Sequence, residues 1–263
     1  MNEEVWKQNA ISNNGYLSFW IGQGTDPKIK AANSNGVCFA MSFDFVTSFQ
    51  RGNPLSAEFV NGVRNASKIW PYTSRIPSKY LEIQAASQEM LDQYTQNLKN
   101  IYNQYKDEIE PTGWQNWTSW KSWRNWIMGE NEGKKIINEL MINRIKQRYG
   151  PGMYSILKFT DQSLLAPDVI MQKINEEVTN NGPGYFLVGM RGNKGGHAVA
   201  FGIRRDIANG IYYLLDANLG FFGFHSLDGI SNFFTIDMWA SIYGETDYSK
   251  FEIAYYPVAS GHY

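Results

Sequence analysis

G-G-H-A-V-A-F-G-I-R-R-D-I-A-N-G-I-Y-Y-L-L-D-A-N-L-G-F-F-G-F, Gly195 to Phe224, is the stretch whose reading decides the fold. H-A-V-A-F-G-I-R and I-Y-Y-L-L-D are short runs rich in β-branched and aromatic residues, and Asn209-Gly210 between them reads as a hairpin turn. F-F-G-F continues in the same texture, and Y-F-L-V-G-M, Tyr185 to Met190, precedes it. A helix near Ile230–Tyr243 and a strand from Phe251 to Tyr256 close the chain.

Upstream the texture is helical. An apolar run from Val37 to Phe49 stops at Gly52-Asn53-Pro54, and Ser56 caps a second stretch to about Ile69. Behind Ser78, Leu91, Tyr94, Leu98, Ile101 and Tyr105 recur at alternating three and four residues, a helical stripe that ends near Pro111. Ile136, Ile137, Leu140, Met141 and Ile145 mark a further helix, closed by Gly150-Pro151-Gly152. Pro167 opens another, with Val169, Ile170, Ile174 and Val178 before Asn181-Gly182. Residues 1–30 are mixed and punctuated by Gly and Asn, with one apolar patch from Tyr16 to Ile21. Helices first and antiparallel strands later predict an α+β fold. With no internal repeat and no linker, residues 1–263 read as a single domain.

Composition narrows the function. The 263 residues are 43% apolar and 19% charged, ordinary for a globular chain, while aromatics reach 15% with nine tryptophans. A net charge of -1 argues against an electrostatic grip on nucleic acid. The single cysteine excludes an intrachain disulfide, and no CxxC pair offers a zinc site, so neither metal nor cofactor is expected. M-N-E-E-V-W-K-Q-N-A lacks a basic segment followed by an apolar core, so no cleaved secretory signal is expected. No window approaches the apolar length of a membrane span. Export by a route that cleaves no signal stays open.

That one cysteine lies in N-S-N-G-V-C-F-A-M-S-F-D-F, Asn33 to Phe45, where a helix should start. The unpaired N–H groups of a helix N-terminus favour thiolate, the nucleophilic form. A small buried hydrophobe is the other reading of Cys38. His197 opens its strand behind two glycines, which permit close approach of a backbone or a substrate, and it reads equally as a hydrogen-bonded core residue. Asp216 ends the next strand, as an orienting acid or a strand terminator. With a turn at Asn209-Gly210, His197 opposes a residue near 222 and Asp216 is offset along the strand. A bulge or longer connection around Arg205–Ala208 is what would bring the two together. His225, in a turn after F-F-G-F, and His262, near the last residue, compete for the role of base and read as solvated.

G-V-C-F-A-M-S-F-D-F, G-G-H-A-V-A-F and L-L-D-A-N-L-G-F-F-G-F, in that order, resemble the YopT/AvrPphB-type cysteine proteases, papain-like enzymes that bacteria deliver into other cells. The resemblance covers the first helix and residues 184–258. Ala217 stands where proline is more usual between the aspartate and Asn218, and a large helical insertion, about 78–150, separates Cys38 from His197. The resemblance implies a papain-like fold with a helical N-terminal half, that insertion, and a C-terminal antiparallel sheet. It implies a triad in which Cys38 attacks an acyl carbon, His197 moves the proton and Asp216 fixes the imidazole tautomer. It also implies a side-chain oxyanion donor, Gln or Asn, just upstream of the cysteine, with Asn33 the first choice and Asn35 the second.

The partner implied is a protein substrate in a target cell, a lipidated small GTPase or a kinase, with peripheral membrane contact and no nucleic acid. The chain would then be a virulence effector or toxin, secreted without a cleaved signal and acting in the target-cell cytoplasm. The same triad supports deamidation, transglutamination or amidase chemistry, and a non-catalytic binding module with a buried Cys38 is the reading from another class.

Trp114, Trp117, Trp120, Trp123 and Trp126 recur every third residue in W-Q-N-W-T-S-W-K-S-W-R-N-W. Each step of three turns about 300° on an α-helix, so the rings fan around it instead of forming one face. Packing on several sides is one reading. A surface for a partner or anionic lipid, built on Trp117, Trp120 and Trp123 with Lys121 and Arg124 between the rings, is the other.

Overall fold

The computed structural model describes residues 2–32, 36–50, scattered helical positions between 78 and 96, 155–159, 167–192, 195–204, 210–246, 248 and 250–258. The expected helices over 56–69 and 136–145, the stripe from Leu91 to Tyr105 and the tryptophans from 114 to 126 lie outside those residues. The chain divides into two compact units, Met1–Ser87 with Met153–Tyr263, and Gln88–Gly152. Of the second, only Gln88, Glu89, Gln93 and Gln96 are described.

The first unit is α+β. Its elements are α1 (Glu3–Ser12), β1 (Gly15–Trp20), a 3₁₀ turn (Gln23–Thr25), α2 (Pro27–Ala31), α3 (Cys38–Gln50), β2 (Ser155–Phe159), α4 (Pro167–Asn181), β3 (Gly184–Arg191), β4 (Gly196–Arg204), β5 (Ile211–Asp216), β6 (Gly220–Phe224), α5 (Leu227–Asn232) continuing as a π-helix (Phe233–Tyr243), and β7 (Lys250–Pro257). The strands form one antiparallel sheet in the order β1-β6-β5-β4-β3-β7-β2.

The sheet is not confined to the C-terminal part of the chain, as expected from sequence. Its two edges are β1, from the N-terminal segment, and β2, ahead of α4. The patch Tyr16–Ile21 alternates too briefly to announce a strand, and its pairing with β6 gives it one face on the sheet. S-I-L-K-F, paired with β7, is a short run whose one announcement, Gly150-Pro151-Gly152, reads from sequence as the close of a helix.

Alternation along β4 explains how the layers assemble. Val199, Phe201 and Ile203 project to one face and join a core built from Trp6 and Ala10 of α1, Ile170, Ile174 and Val178 of α4, and Phe233, Phe234 and Met238 of the π-helix. Ala198, Ala200 and Gly202 project to the other. Their small size lets α3 lie close, with Ser42 Oγ donating to the Ala198 carbonyl at 3.2 Å and Phe49 packing on Tyr185 and Tyr213. His197 falls in the large-residue row and β4 runs under α3. The head of α3 is therefore brought to the strand's first residues.

Candidate active site

The register of β4 against β5 decides whether His197 and Asp216 meet. Among the described residues pairing runs to Arg204↔Ile211, and Val199 stands opposite Asp216. Relative to the pairing expected from sequence, this register moves Asp216 along the strand by an even number of residues, which keeps it on the His197 face. His197 Nε2 and Asp216 Oδ2 are 3.1 Å apart, and both side chains are buried. The register expected from a turn at Asn209-Gly210 is thus corrected, while the connection itself, residues 205–209, lies outside the described residues. Gly195, with φ +152, holds the turn into β4 and faces open space, while a Cβ on Gly196 would lie 3.1 Å from the Met190 carbonyl oxygen.

Cys38 begins α3 and is buried beneath the same imidazole. With Nε2 turned to Asp216, Nδ1 is the ring nitrogen left for the sulfur. Burial alone would push the Cys38 thiol up. The charge of His197, a hydrogen bond with its ring and one with the Ala198 backbone outweigh burial and the opposing Asp216 charge, and the thiol falls below its ordinary range. Burial works against protonation of His197 as well, yet the Asp216 carboxylate and then the Cys38 thiolate raise it to about 10. Mutual stabilisation of an imidazolium and a thiolate is the chemistry of an activated nucleophile.

The other candidates stand elsewhere. His225 is exposed, its backbone N–H bonded to Asn14 and its ring 6.0 Å from Tyr16. Asp228 is exposed in the first turn of α5. His262, Asn33, Asn35, Trp117, Trp120 and Trp123 lie outside the described residues. No group of residues suited to a metal ion occurs among the described residues.

Sequence reasoning missed two members of this neighbourhood. Gln23 is buried, its Oε1 accepting the Val37 N–H at 2.7 Å and its Nε2 donating to Asn218 Oδ1 at 2.8 Å. Gly36, at φ +122, makes room for it, since a Cβ there would come 2.7 Å from Gln23 Oε1. The only signal for Gln23 was a polar residue between glycines after an apolar patch. Tyr243, the last residue of the π-helix, donates from its hydroxyl to Asp216 Oδ2 at 2.6 Å and stacks on His197 at 5.2 Å between ring centroids. Nothing in its apolar surroundings marked it.

Together these bonds close a belt around the site. Val37 N–H donates to Gln23, Gln23 to Asn218, Asn218 Nδ2 to the Tyr243 hydroxyl at 3.1 Å, and Tyr243 to Asp216, which also receives His197. The carboxylate only accepts, so every donor direction in the chain is fixed. Asp216 Oδ1 takes the Asn218 backbone N–H at 2.6 Å. On the other side of α3, Gln84 Oε1 accepts the Ala40 N–H at 3.1 Å and Tyr80 donates to Asp44 at 2.7 Å. A helical stretch over 80–86 therefore lies antiparallel to α3 and caps its first turn.

Comparison with known protein families and with curated proteins finds no match. Among solved structures the chain is similar to the Pseudomonas avirulence protein AvrPphB, 16% identical, covering 52% of this chain and 73% of that one with a TM-score of 0.29. A likeness of that extent leaves the activity to be read from the chain's own geometry.

Proposed function

We propose that this chain is a papain-like cysteine peptidase in which Cys38 is the nucleophile, His197 the acid and base, and Asp216 the group that orients the imidazole. One observation carries the reading: a buried cysteine at the head of a helix beside a buried histidine, whose Nε2 is fixed at 3.1 Å by a buried carboxylate. The Cys38 thiolate attacks the carbonyl carbon of an amide, and the C–N bond breaks as the imidazolium gives its proton to the departing amine. Water then opens the thioester, with His197 taking its proton, and the thiolate returns.

The negative oxygen formed in each step needs donors. The Cys38 backbone N–H is one, and the second Nε2 hydrogen of Gln23 is the side-chain donor of the required kind. Its partner hydrogen is occupied by Asn218, and the carboxamide is anchored to the residue before the cysteine. Gln23 is thus a candidate for this role beside Asn33 and Asn35, which lie outside the described residues.

The substrate on this reading is a protein in a target cell, in keeping with the sequence resemblance. Mass spectrometry of new N-termini in a target-cell lysate tests the reading. Defined new termini that vanish with Cys38→Ala are expected. Unchanged termini with Cys38→Ala, or deamidated or cross-linked proteins without cleavage, would contradict peptidase chemistry.

A further inference from the structure

The Tyr243 hydroxyl and the His197 ring share one oxygen of Asp216, and the shorter bond belongs to the tyrosine, 2.6 Å against 3.1 Å. Asn218 Nδ2 donates into the same hydroxyl, which polarises its O–H toward the carboxylate. The ring lies roughly parallel to the imidazole, at 29°. Both side chains and Asp216 are buried, so water does not substitute for the missing partner of any of these bonds.

The tyrosine reaches the site because the helix widens. Gly244 N–H donates to the carbonyl of Trp239, five residues back, and Phe234 and Trp239, which would be about 140° apart on an α-helix, are brought to 6.0 Å. Trp239 and Tyr248 each stand 6.0 Å from Tyr243 in turn. The widened helix is thus the mount that aims one hydroxyl at one carboxylate oxygen.

We propose that Tyr243 is a positioning residue of this site, which by occupying Asp216 Oδ2 and covering the imidazole limits how tightly the carboxylate holds His197. The proposal rests on the peptidase reading for its consequence and on geometry for its substance. A histidine held too firmly as imidazolium is a poor acid toward the departing amine, so a competing donor keeps the proton transferable. The groups facing His197 are Cys38 from α3, Asp216 from β5 and Tyr243 from the π-helix, while its β3 neighbour is Met190. Burial, and then the Asp216 charge, hold the Tyr243 hydroxyl well above its ordinary range, so it remains a donor wherever the site works.

The test is a titration of His197 by NMR in the full chain carrying Cys38→Ala, which removes the thiolate's share. The chain's three histidines are separated with His225→Gln and His262→Gln. Adding Tyr243→Phe keeps the stacked ring and frees Oδ2 for the imidazole, so the midpoint should rise by roughly half a pH unit. An unchanged or lowered midpoint in a folded protein overturns the proposal. Should the phenylalanine variant fail to fold, 3-fluorotyrosine placed at position 243 is a stronger donor and should lower the midpoint. No change, or a rise, overturns the proposal equally. Alkylation of Cys38 at pH 6 in the otherwise unaltered protein reads the peptidase assignment separately. A His197 shift without such alkylation would leave Tyr243 in its role and remove the peptidase.

Discussion

At the scale of single residues the geometry of the site depends on carboxamides and hydroxyls as much as on the three groups proposed to carry the chemistry. Gln23→Ala strands the Val37 N–H and, on the proposed reading, deletes an oxyanion donor. Turnover should fall about 10²–10³-fold with the protein still folded, measured as kcat on whichever substrate the lysate experiment supplies. An unchanged kcat would place the donor elsewhere. Asp216→Asn should cut kcat by orders of magnitude through loss of the tautomer it fixes, while Asp228→Asn, exposed on α5, should not. That Cys38, His197 and Asp216 come together was legible because each stands at the end of an element with a glycine or turn signal beside it. Gln23 and Tyr243 were not, since their roles come from bonds to residues far along the chain, and neither spacing nor composition encodes those.

Elements place these residues through small side chains. Gly184, Gly202, Gly220 and Gly223 let neighbouring strands carry large rings, as where a Cβ on Gly202 would sit 3.1 Å from the Tyr185 ring and 3.2 Å from that of Tyr213. At Gly220 a Cβ would fall on the Phe19 carbonyl oxygen, which is backbone and has nowhere to go. At Gly223 it would meet the tip of Tyr16, a side chain 43% exposed and free to swing. Gly220→Ala should therefore destabilise the protein by about 1–3 kcal/mol and Gly223→Ala by less, by urea denaturation. The reverse order would mean the β1–β6 edge is looser than its pairing indicates. The strands β3 to β7 and the helix α4 were readable from alternation, apolar periodicity and Pro/Gly punctuation. The edges β1 and β2 were not, because one is cut short by Asn and Gly and the other gains its identity only by pairing with β7.

For the molecule as a whole, the coupled pair sets a pH window. The ordinary values are 6.5 for histidine and 9.0 for the thiol, and folding raises His197 to about 10 while lowering Cys38. The raised imidazole contributes stability that is complete below 6.5 and lost as pH rises through about 10, whereas the lowered thiol contributes stability that is complete above 9.0 and lost as pH falls through its folded value. Above 9.0 the unfolded chain holds neither proton while the folded imidazolium keeps one, so the pair's contribution falls as pH rises through about 10. Thermal melts of the full chain against a Cys38→Ala, His197→Gln double variant should show that loss; a difference that does not change across this range would contradict the pairing. The most direct measurement of the central claim is the rate of iodoacetamide modification of Cys38 as a function of pH. The account predicts a plateau of reactivity already present at pH 6, lost by roughly 100-fold or more with His197→Ala as the thiol reverts to its buried, unassisted state. A single rise centred at or above the ordinary thiol value of 9.0, the same with and without His197, would contradict it.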